Sequence, residues 1–359
     1  MFVVIKSTVL LASCLVTGAS VLPMICQADN QGESLSAPAG WQQVWHDEFD
    51  VLDGNKWQFE VNCWGGGNNE QQCYTPRSEN AYIDNGVLHI VARKEDFRGP
   101  AQQDDQPGYD INDTSVLKPY TSARLRTKHL AQWTYGRFEI RAKLPQGQGT
   151  WPAIWMLPTN NRYGSWPASG EIDIMEAVNL GANSDRPSAP AGELETRVHG
   201  TLHYGREFPE NVYAGTGYRL ANEQSPAADF HVYAIEWEAT EIRWYVDNIH
   251  YATQTSATWY SQAVDEAGQW QEHGNHAPFN HPFHLLLNLA VGGGWAGTVN
   301  DTGVDSAVFP QVLSIDYVRV YQCQPALSDA RGCASQSPQA RLVIGAPKPA
   351  INTPSQPQD

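Results

Sequence analysis

The chain has 359 residues, enough for one large β domain or two average ones, and 41% of its residues are hydrophobic, which excludes a disordered protein. The formal net charge is −16 and no basic run occurs, which argues against nucleic acid and anionic membranes as partners and is compatible with a neutral substrate. Thirteen Trp and fifteen Tyr exceed what one core usually needs, so some of them are expected to line a binding surface.

The first element along the chain is typical of export. Residues 1–28 carry Lys6, then an apolar stretch and small residues, the pattern of a secretory signal peptide cleaved near Ala28. A lipoprotein signal that ends before Cys14 is the alternative. No later segment has the roughly 20 apolar residues that span a bilayer. We therefore expect an extracellular or periplasmic protein without a membrane span, in which residues 29–40 form a short leader.

Residues 41–323 show the pattern of many short strands. Segments such as "GRFEIRAKLP" and "FHLLLNLAVGG" are rich in β-branched and aromatic residues, largely alternate apolar with polar residues, and are separated by Gly, Pro, Asn or Asp. A long apolar repeat of 3.6 residues, which would indicate a helix, is absent from this sequence. The pattern predicts a single all-β domain, either a sandwich or a barrel.

Four cysteines follow the signal segment, and they allow three pairings. An exported chain meets an oxidising compartment, so disulfides are expected. We favour Cys63–Cys73 and Cys323–Cys333, because each pair closes a short loop rich in turn residues. The spacing is not that of a zinc site.

The C-terminal residues 324–359 differ in composition from the rest. Their main part, "SQSPQARLVIGAPKPAINTPSQPQD", is rich in Pro, Ser and Gln and has no aromatic residue. This composition predicts a mobile tail or the stub of a linker.

The stretch "EIDIMEAVN", which begins at Glu171, raises a question of orientation. In a strand Glu171 and Asp173 point to the same face, whereas Glu176 lies at an odd offset from them and would point to the other. A β-bulge near Ile174–Met175 would return Glu176 to the first face, and bulges are common beside active sites. Neighbouring carboxylates raise one another's pKa, so one carboxyl group stays protonated near neutral pH. One ionised and one protonated carboxyl group are the pair of groups that glycosidases use to hydrolyse a glycosidic bond.

Two other interpretations of these acids are a solvated edge strand and a calcium site, since carboxylates are ligands for hard cations. The flanking segments favour a sugar site. "GTWPAIWMLP" and "YGSWPASG" supply Trp151, Trp155 and Trp166, and sugars stack on aromatic faces through their C–H surfaces.

Together with "HGTLHYG", these segments resemble glycoside hydrolase family 16, and within it most closely the bacterial laminarinases, which are endo-β-1,3-glucanases. The likeness extends over residues 41–323 and includes "WHDEFD", "GGGNNEQQCYT" and "LLLNLAVGGGWAG". It implies a jelly-roll β-sandwich of two antiparallel sheets with a concave substrate cleft. It also implies a secreted, retaining endo-glycosidase that hydrolyses β-1,3 bonds in laminarin-type glucans, with mixed-linkage β-1,3/1,4-glucan as a further expected substrate.

The resemblance implies catalytic roles for the three acids. Glu171 matches the family's nucleophile, Glu176 its acid/base, and Asp173 the middle acid that tunes both. Met175 occupies the extra position of the bulged form, which the lichenase-like members lack.

Five further residues resemble substrate contacts of the family: Asn69, Arg124, Trp151, Trp155 and His203. His203 matches the histidine near the leaving-group sugar. A structural histidine, core tryptophans and a glycine loop kept only for its flexibility are the alternatives for these segments.

The resemblance implies no catalytic cofactor but a structural calcium ion that bridges the N- and C-terminal strands. Glu48, Gly86 and Asp316 match its positions, with Gly86 contributing only its carbonyl oxygen. The alternative is that these are ordinary turn and edge residues.

Three alternatives to a β-1,3-glucanase remain at this point. An agarase or a carrageenase of the same family is possible from the motif, although the acidic chain disfavours a sulfated substrate. A non-catalytic β-glucan-binding protein would typically have lost one carboxylate, and here all three are present. We expect a monomer whose polar insertions at 97–120 and 181–197 border the cleft.

Overall fold

The computed structural model describes residues 38–265, 267–324 and 332–351. The predicted signal peptide, Cys14 and most of the predicted leader lie outside these ranges, and those assignments stay predictions. Within the described ranges no helix is long and apolar enough to cross a membrane.

Strands dominate the described chain. A single α-helical turn, α1 (Gly293–Ala296), and two 3₁₀ turns, Ala221–Glu223 and Ser306–Val308, are the helical pieces of the described residues. In chain order the strands are β1 (Trp41–Asp47), β2 (Gln58–Phe59), β3 (Gln72–Tyr74), β4 (Ala81–Asp84), β5 (Val87–Gly99), β6 (Val116–Ser122), β7 (Arg124–Arg126), β8 (Gly136–Lys143), β9 (Thr150–Pro158), β10 (Glu171–Glu176), β11 (Arg197–Gly205), β12 (Asn211–Arg219), β13 (His231–Trp237), β14 (Glu241–Val246), β15 (Ile249–Thr255), β16 (Gln262–Val264), β17 (Trp270–Glu272), β18 (Phe283–Val291), β19 (Gln311–Cys323) and β20 (Arg341–Leu342).

Two large sheets are formed by these strands. The eleven-stranded sheet has the order β20-β15-β14-β13-β8-β19-β5-β6-β3, with β1 also paired to β19 and β4 to β5. The seven-stranded sheet has the order β12-β11-β10-β9-β18-β7-β2. Its pairings are antiparallel throughout, and β10 lies between β9 and β11.

One hydrophobic core joins the two sheets. Phe138 and Ile140 of β8 and Ile154 and Met156 of β9 are fully buried members of the same cluster. In β9, Trp155 lies between Ile154 and Met156 in the sequence, points to the opposite side of the sheet, and is only half-buried. Alternation of this kind places one face of each sheet in the core, and the predicted all-β sandwich is confirmed.

The predicted disulfides Cys63–Cys73 and Cys323–Cys333 are both present. Each closes a loop between residues ten positions apart. The second bond fastens the end of β19 to the start of the C-terminal segment.

The described part of that segment, residues 332–351, does not match the expectation of a mobile tail. Strand β20 pairs in parallel with β15, and the Val343 side chain is buried in the core cluster. Farther along, the side-chain amide of Gln262 donates to the carbonyl oxygen of Pro349 at 3.0 Å. The composition suggested mobility because apolar residues are few, but backbone hydrogen bonds and one buried valine hold the segment against the sandwich.

The C-terminal segment also covers a buried ion network on the face of the eleven-stranded sheet that points away from the core. Glu236 is fully buried there and accepts hydrogen bonds from Arg137 at 2.9 Å and Arg243 at 3.2 Å. The backbone N–H and hydroxyl of Ser335 donate to the same carboxylate at 3.1 and 2.8 Å. The hydroxyl of Tyr245 adds a further bond at 2.7 Å.

Candidate active site

Strand β10 contains the bulge that the sequence predicted. Against β9, Asp173 pairs with Trp155 but Met175 pairs with Ile154, so the register shifts between Asp173 and Met175. Against β11 the register shifts between Asp173 and Glu176. The extra residue is accommodated within Ile174–Met175, where both side chains are buried in the core cluster.

The bulge brings the three acids to the face of the seven-stranded sheet that points away from the core. We call this the site face, and use the name for six side chains of β9, β10 and β11 on it: Trp151, Trp155, Glu171, Asp173, Glu176 and His203. The bulge thus resolves the odd spacing between Asp173 and Glu176.

Tryptophan N–H groups donate to both glutamates of the site face and to the backbone of the strand between them. The indole of Trp166 donates to Oε2 of Glu171 at 2.6 Å, and that of Trp151 donates to Oε1 of Glu176 at 2.9 Å. The indole of Trp244, from the opposite sheet, donates to the backbone carbonyl of Asp173 at 2.8 Å. These bonds fix the two glutamate side chains and the strand between them.

His203 of β11 lies opposite Glu171 in the strand register and faces the acids. Its Nε2 is 3.2 Å from Oδ2 of Asp173 and 3.7 Å from Oε1 of Glu171. Burial disfavours the charged imidazolium, but the negative charges of Glu171 and Asp173 outweigh it and raise the pKa of His203 to about 9. The ring is therefore a cation near neutral pH and offsets part of the negative charge.

Both glutamates have raised pKa values. Burial, followed by the charge of Asp173, raises the pKa of Glu171 to about 8. The same two causes, in the same order, raise the pKa of Glu176 well above its ordinary range. Because the groups interact, they titrate as a set, and one carboxyl group of the set holds a proton at neutral pH. The site thus supplies a carboxylate and a carboxylic acid side by side.

The interpretation of these acids as a cation site is less well supported. Glu171, Asp173 and His203 have ligand atoms within 4.8 Å of one another. However, the raised pKa of His203 makes it a cation, and a protonated imidazole both lacks a free lone pair at its nitrogens and repels a metal ion.

Trp151 and Trp155 are half-buried on the site face and are not members of the core cluster. The indole of Trp155 donates to Oδ1 of Asn288 at 2.7 Å, and the ring of Trp151 meets that of Trp295 edge-on at 5.4 Å. Sequence reasoning missed Asn288 and Trp295. The signal for Asn288 was a lone polar residue within the apolar run of β18.

Arg124 differs from the expectation of a residue that reaches out to substrate. It is only 5% exposed, and its guanidinium pairs with Glu60 at 3.4 Å and with the hydroxyl of Tyr74 at 3.1 Å. The guanidinium carbon lies 5.3 Å from the ring centre of Trp155. Arg124 therefore supports the Trp155 ring from below.

Asn69 is exposed at the end of the glycine-rich loop and has a positive φ of 56°. Gly65, Gly66 and Gly67, which precede it, also have positive φ values of 85°, 62° and 78°. The three glycines are thus required by the backbone conformation of the loop.

The insertion at 97–120 is shorter than it appeared, because β5 and β6 extend into it. Its remaining loop lies beside β2, the edge strand of the seven-stranded sheet. The Tyr109 hydroxyl donates to the carbonyl oxygen of Val61 at 2.8 Å, and a cavity of about 600 Å³ lies between this loop and Phe59.

The side chains predicted to hold calcium are engaged by arginines. Both carboxylate oxygens of Glu48 accept hydrogen bonds from Arg319, at 2.9 and 2.8 Å, and Asp316 accepts one from Arg141 at 2.6 Å. A guanidinium at each carboxylate repels a cation, so these side chains do not fit as ligands. The backbone does approach: a Cβ on Gly86 would lie 3.9 Å from the carbonyl oxygen of Glu48.

Comparison with known proteins agrees with the geometry. The model of the family described as glycosyl hydrolases family 16 matches residues 69–305. The chain is 46% identical over 290 residues to a beta-glucanase of Rhodothermus marinus, covering 79% of this chain and 85% of the relative. It is 36% identical over 312 residues to glucan endo-1,3-beta-glucosidase A1 of Niallia circulans, covering 83% of this chain but only 41% of that longer protein.

A solved structure is also similar. The laminarinase catalytic domain from Thermotoga maritima MSB8 superposes with a TM-score of 0.59 at 37% identity, covering 78% of this chain and 98% of that one. The predicted jelly-roll sandwich is confirmed by this match. The family match covers more than half of the chain, and the chain therefore belongs to glycoside hydrolase family 16.

Proposed function

We propose that the protein is a secreted, retaining endo-β-1,3-glucanase that hydrolyses laminarin-type glucans, with mixed-linkage β-1,3/1,4-glucan as a second substrate. The bulge in β10 carries the proposal, because it gathers three carboxylates on one face beside two tryptophans that hold them. The printed functions of the relatives, beta-glucanase and glucan endo-1,3-beta-glucosidase, support the choice of glucan.

In the proposed mechanism Glu171 is the nucleophile and Glu176 the acid/base. A carboxylate oxygen of Glu171 bonds to the anomeric carbon while the glycosidic C–O bond breaks, and the Glu176 carboxyl group gives its proton to the leaving oxygen. Glu176, now a carboxylate, then takes a proton from water as the water oxygen attacks the anomeric carbon and releases Glu171. Two inversions at the same carbon leave its configuration unchanged.

The environments of the two glutamates suit these roles. Burial and the charge of Asp173 raise the pKa of Glu176, which keeps the proton that the leaving group needs. Glu171 must be ionised to attack. The indole N–H of Trp166 and the cationic ring of His203 both favour its charged form against the effect of burial. Asp173 acts on both neighbours through its charge.

The proposed substrate contacts divide into direct and supporting residues. Trp151 and Trp155 offer half-exposed rings on the site face for stacking, and Asn69 offers an exposed amide on the glycine loop. His203 faces the sugar next to the acids. Arg124 is proposed as a positioning residue that acts through the ring of Trp155.

The test is a reducing-sugar assay with the purified protein on laminarin, lichenan, agarose and carrageenan. Rapid release of sugar from laminarin, slower release from lichenan and none from the other two is expected. Activity confined to agarose or carrageenan would replace the proposal with one of those activities. Tight binding of laminarin without release of sugar would support a glucan-binding protein.

The retaining mechanism is tested by proton NMR of the first product formed from laminarin. We expect the β-anomer to appear first and the α-anomer only as mutarotation proceeds. An α-anomer formed first would mean inversion, with carboxyl groups about 6.5–9.5 Å apart, and would remove the nucleophile role from Glu171.

Secretion is proposed from the N-terminal sequence and from the two disulfides, which suit an oxidising compartment. Mass spectrometry of the mature protein from the culture medium or periplasm is expected to show an N-terminus near residue 29. A lipid-modified Cys14 would establish the lipoprotein alternative instead.

The structural calcium ion is proposed on the family resemblance and on the close approach of Gly86 to the carbonyl oxygen of Glu48. An ion that binds the native state alone stabilises it by about 2.7 kcal/mol at one hundred times its Kd. We expect excess chelator to lower the melting temperature of calcium-loaded protein. An unchanged melting curve would reject the calcium ion and leave the β1–β19 pairing and the Arg319–Glu48 ion pair as the links between these strands.

A further inference from the structure

Three large aromatic side chains stand exposed at one end of the site face. Phe208 is 70% exposed, Tyr213 69% and Trp166 42%. Two of them have no role in the mechanism above. Isolated exposed apolar residues are ordinary, but adjacent aromatic rings that join a polar site mark a binding surface more often than chance placement.

The three rings form a continuous row through His203. The ring centre of Tyr213 lies 5.8 Å from that of His203, His203 lies 5.9 Å from Trp166, and Trp166 lies 6.2 Å from Phe208. The planes of successive rings differ by 33°, 38° and 34°. The row therefore presents a gently turning aromatic surface, and its two middle rings, His203 and Trp166, contact Glu171.

The backbone that carries two of the exposed rings is held by hydrogen bonds and by strand pairing. The backbone N–H of Phe208 donates to the carbonyl oxygen of Trp166 at 3.1 Å, and the N–H of Ser165 donates to the carboxylate of Glu207 at 2.6 Å. Tyr213 lies in β12 directly opposite His203. A backbone that is already ordered loses little conformational entropy when a ligand covers the rings that it carries.

Side-chain hydrogen bonds and an ion pair also stabilise the loop around Phe208. Arg206 is buried, donates to Gln262 at 3.0 Å and pairs with Glu210 at 3.2 Å. Gln262 in turn donates to the carbonyl oxygen of Pro349 in the C-terminal segment. The segment thus supports the loop that presents Phe208.

We propose that Phe208, Tyr213 and Trp166 form an aromatic platform that binds glucosyl units of the substrate beyond those held at the three acids. The proposal rests on the proposed function and deepens it, because such a platform would make the enzyme prefer long glucan chains. Sugars stack on such rings through their C–H faces. The platform is continuous with the site through Trp166.

The test compares kcat/KM of Phe208→Ala and Tyr213→Ala with that of the natural protein on laminari-oligosaccharides of increasing length. On the longest oligosaccharides and laminarin each variant is expected to lose about tenfold, the equivalent of one aromatic contact. On an aryl β-laminaribioside, which is too short to cover the outer rings Phe208 and Tyr213, kcat/KM is expected to be unchanged. Tyr82→Ala is the matched control, because Tyr82 is an exposed aromatic on the other sheet.

Equal losses on short and long substrates, or no loss on any, would overturn the platform. A loss of activity accompanied by a lower melting temperature would also overturn the platform and assign the rings to packing. A change from dimer to monomer on size exclusion would overturn it and assign the rings to self-association. If the natural protein cleaves no β-1,3-glucan, the proposed function fails first. Calorimetric binding of laminarin to the natural protein and to Phe208→Ala then tests the platform separately, and equal affinities would reject it.

Discussion

The two sheets of this protein both hold buried charged side chains, but they balance them differently. On the eleven-stranded sheet Glu236 is surrounded by Arg137, Arg243, Tyr245 and Ser335, so each of its oxygens has several donors. On the site face three carboxylates share one cation, His203, and the glutamates receive one indole N–H each.

The consequence is visible in the pKa values. Burial disfavours the charge of Arg243, but its hydrogen bond to Glu238 and the neighbouring carboxylates outweigh burial and raise its pKa, so this group stays charged at any working pH. On the site face burial and the charge of Asp173 raise the pKa of Glu171 to about 8 and the pKa of Glu176 well above its ordinary range. A matched network keeps its protons fixed and stabilises the fold, whereas an acid-rich one can exchange protons with a substrate.

The largest effect is expected from removing the proposed nucleophile. Glu171→Gln keeps the size of the side chain and an acceptor for Trp166 but cannot form the covalent intermediate, so laminarin turnover is expected to fall by at least about 10⁴-fold. Initial rates of sugar release measure this. Asp84→Asn, an exposed acid of β4 on the other sheet, is the control and is expected to be fully active. A Glu171→Gln variant with more than a few per cent of activity would contradict the assignment.

Removing the proposed acid is expected to depend on the leaving group. Glu176→Ala is expected to be severely slow on laminarin, whose leaving oxygen needs a proton, and to recover partly on an aryl glycoside with a good leaving group. Added azide is expected to take the place of water and give a β-configured glycosyl azide, detected by NMR. Equal slowing on both substrates, without an azide product, would move the acid role to another residue.

Breaking the matched network is expected to affect stability and not chemistry. Arg243→Met leaves the buried carboxylate of Glu238 without its cation and leaves Glu236 with Arg137 alone, which is expected to cost about 3–5 kcal/mol in the free energy of unfolding. Arg141→Met, which breaks the half-exposed pair with Asp316, is the control and is expected to cost less than about 1 kcal/mol. Denaturant unfolding measures both. Equal costs would remove the distinction between buried and exposed pairs.

Changing the middle acid is expected to shift the pH dependence of activity. The charge of Asp173 raises the pKa of Glu176, and Glu176 must be protonated to act. Asp173→Asn removes that charge, lowers the pKa of Glu176, and is expected to move the alkaline limb of the kcat/KM profile to lower pH, with a milder loss of rate than either glutamate variant. A limb that stays in place or moves to higher pH would contradict the electrostatic role.

The smallest effect is a gain in stability. The folded state raises the pKa of Glu171 from 4.5 to about 8, so it holds a proton that the unfolded chain releases, and Glu171 costs stability as pH rises from 4.5 through 8. Glu171→Gln is expected to be more stable than the natural protein near pH 8 and equally stable well below pH 4.5. Calorimetric melting at both pH values measures this, and an equal gain at both would point to packing instead.

The sequence was sufficient to predict the features that depend on local pattern. Alternation of apolar residues predicted the sandwich, short loops predicted both disulfides, and the odd spacing from Asp173 to Glu176 predicted the bulge. In each case the constraint lies within a few neighbouring residues, so it can be recognised in the sequence before the fold is known.

The features that were missed depend on contacts between distant segments. Arg124 is buried because Glu60 and Tyr74 surround it, and the C-terminal segment is ordered because Ser335 reaches Glu236 about a hundred residues away. Composition alone gave that segment the signature of disorder. Phe208 escaped notice because its partner, Trp166, belongs to another loop.

The Cys323–Cys333 bond gives this enzyme a tolerance to proteolytic nicking. A protease that cuts once between these two residues produces two polypeptides, yet the sulfur bridge keeps the C-terminal piece attached beside Trp41, whose indole donates to the carbonyl oxygen of Cys333 at 3.0 Å. The nicked enzyme would run as one band without reductant and as two with it. The disulfide thus turns a cleavage that would release the C-terminal segment into one that leaves it attached.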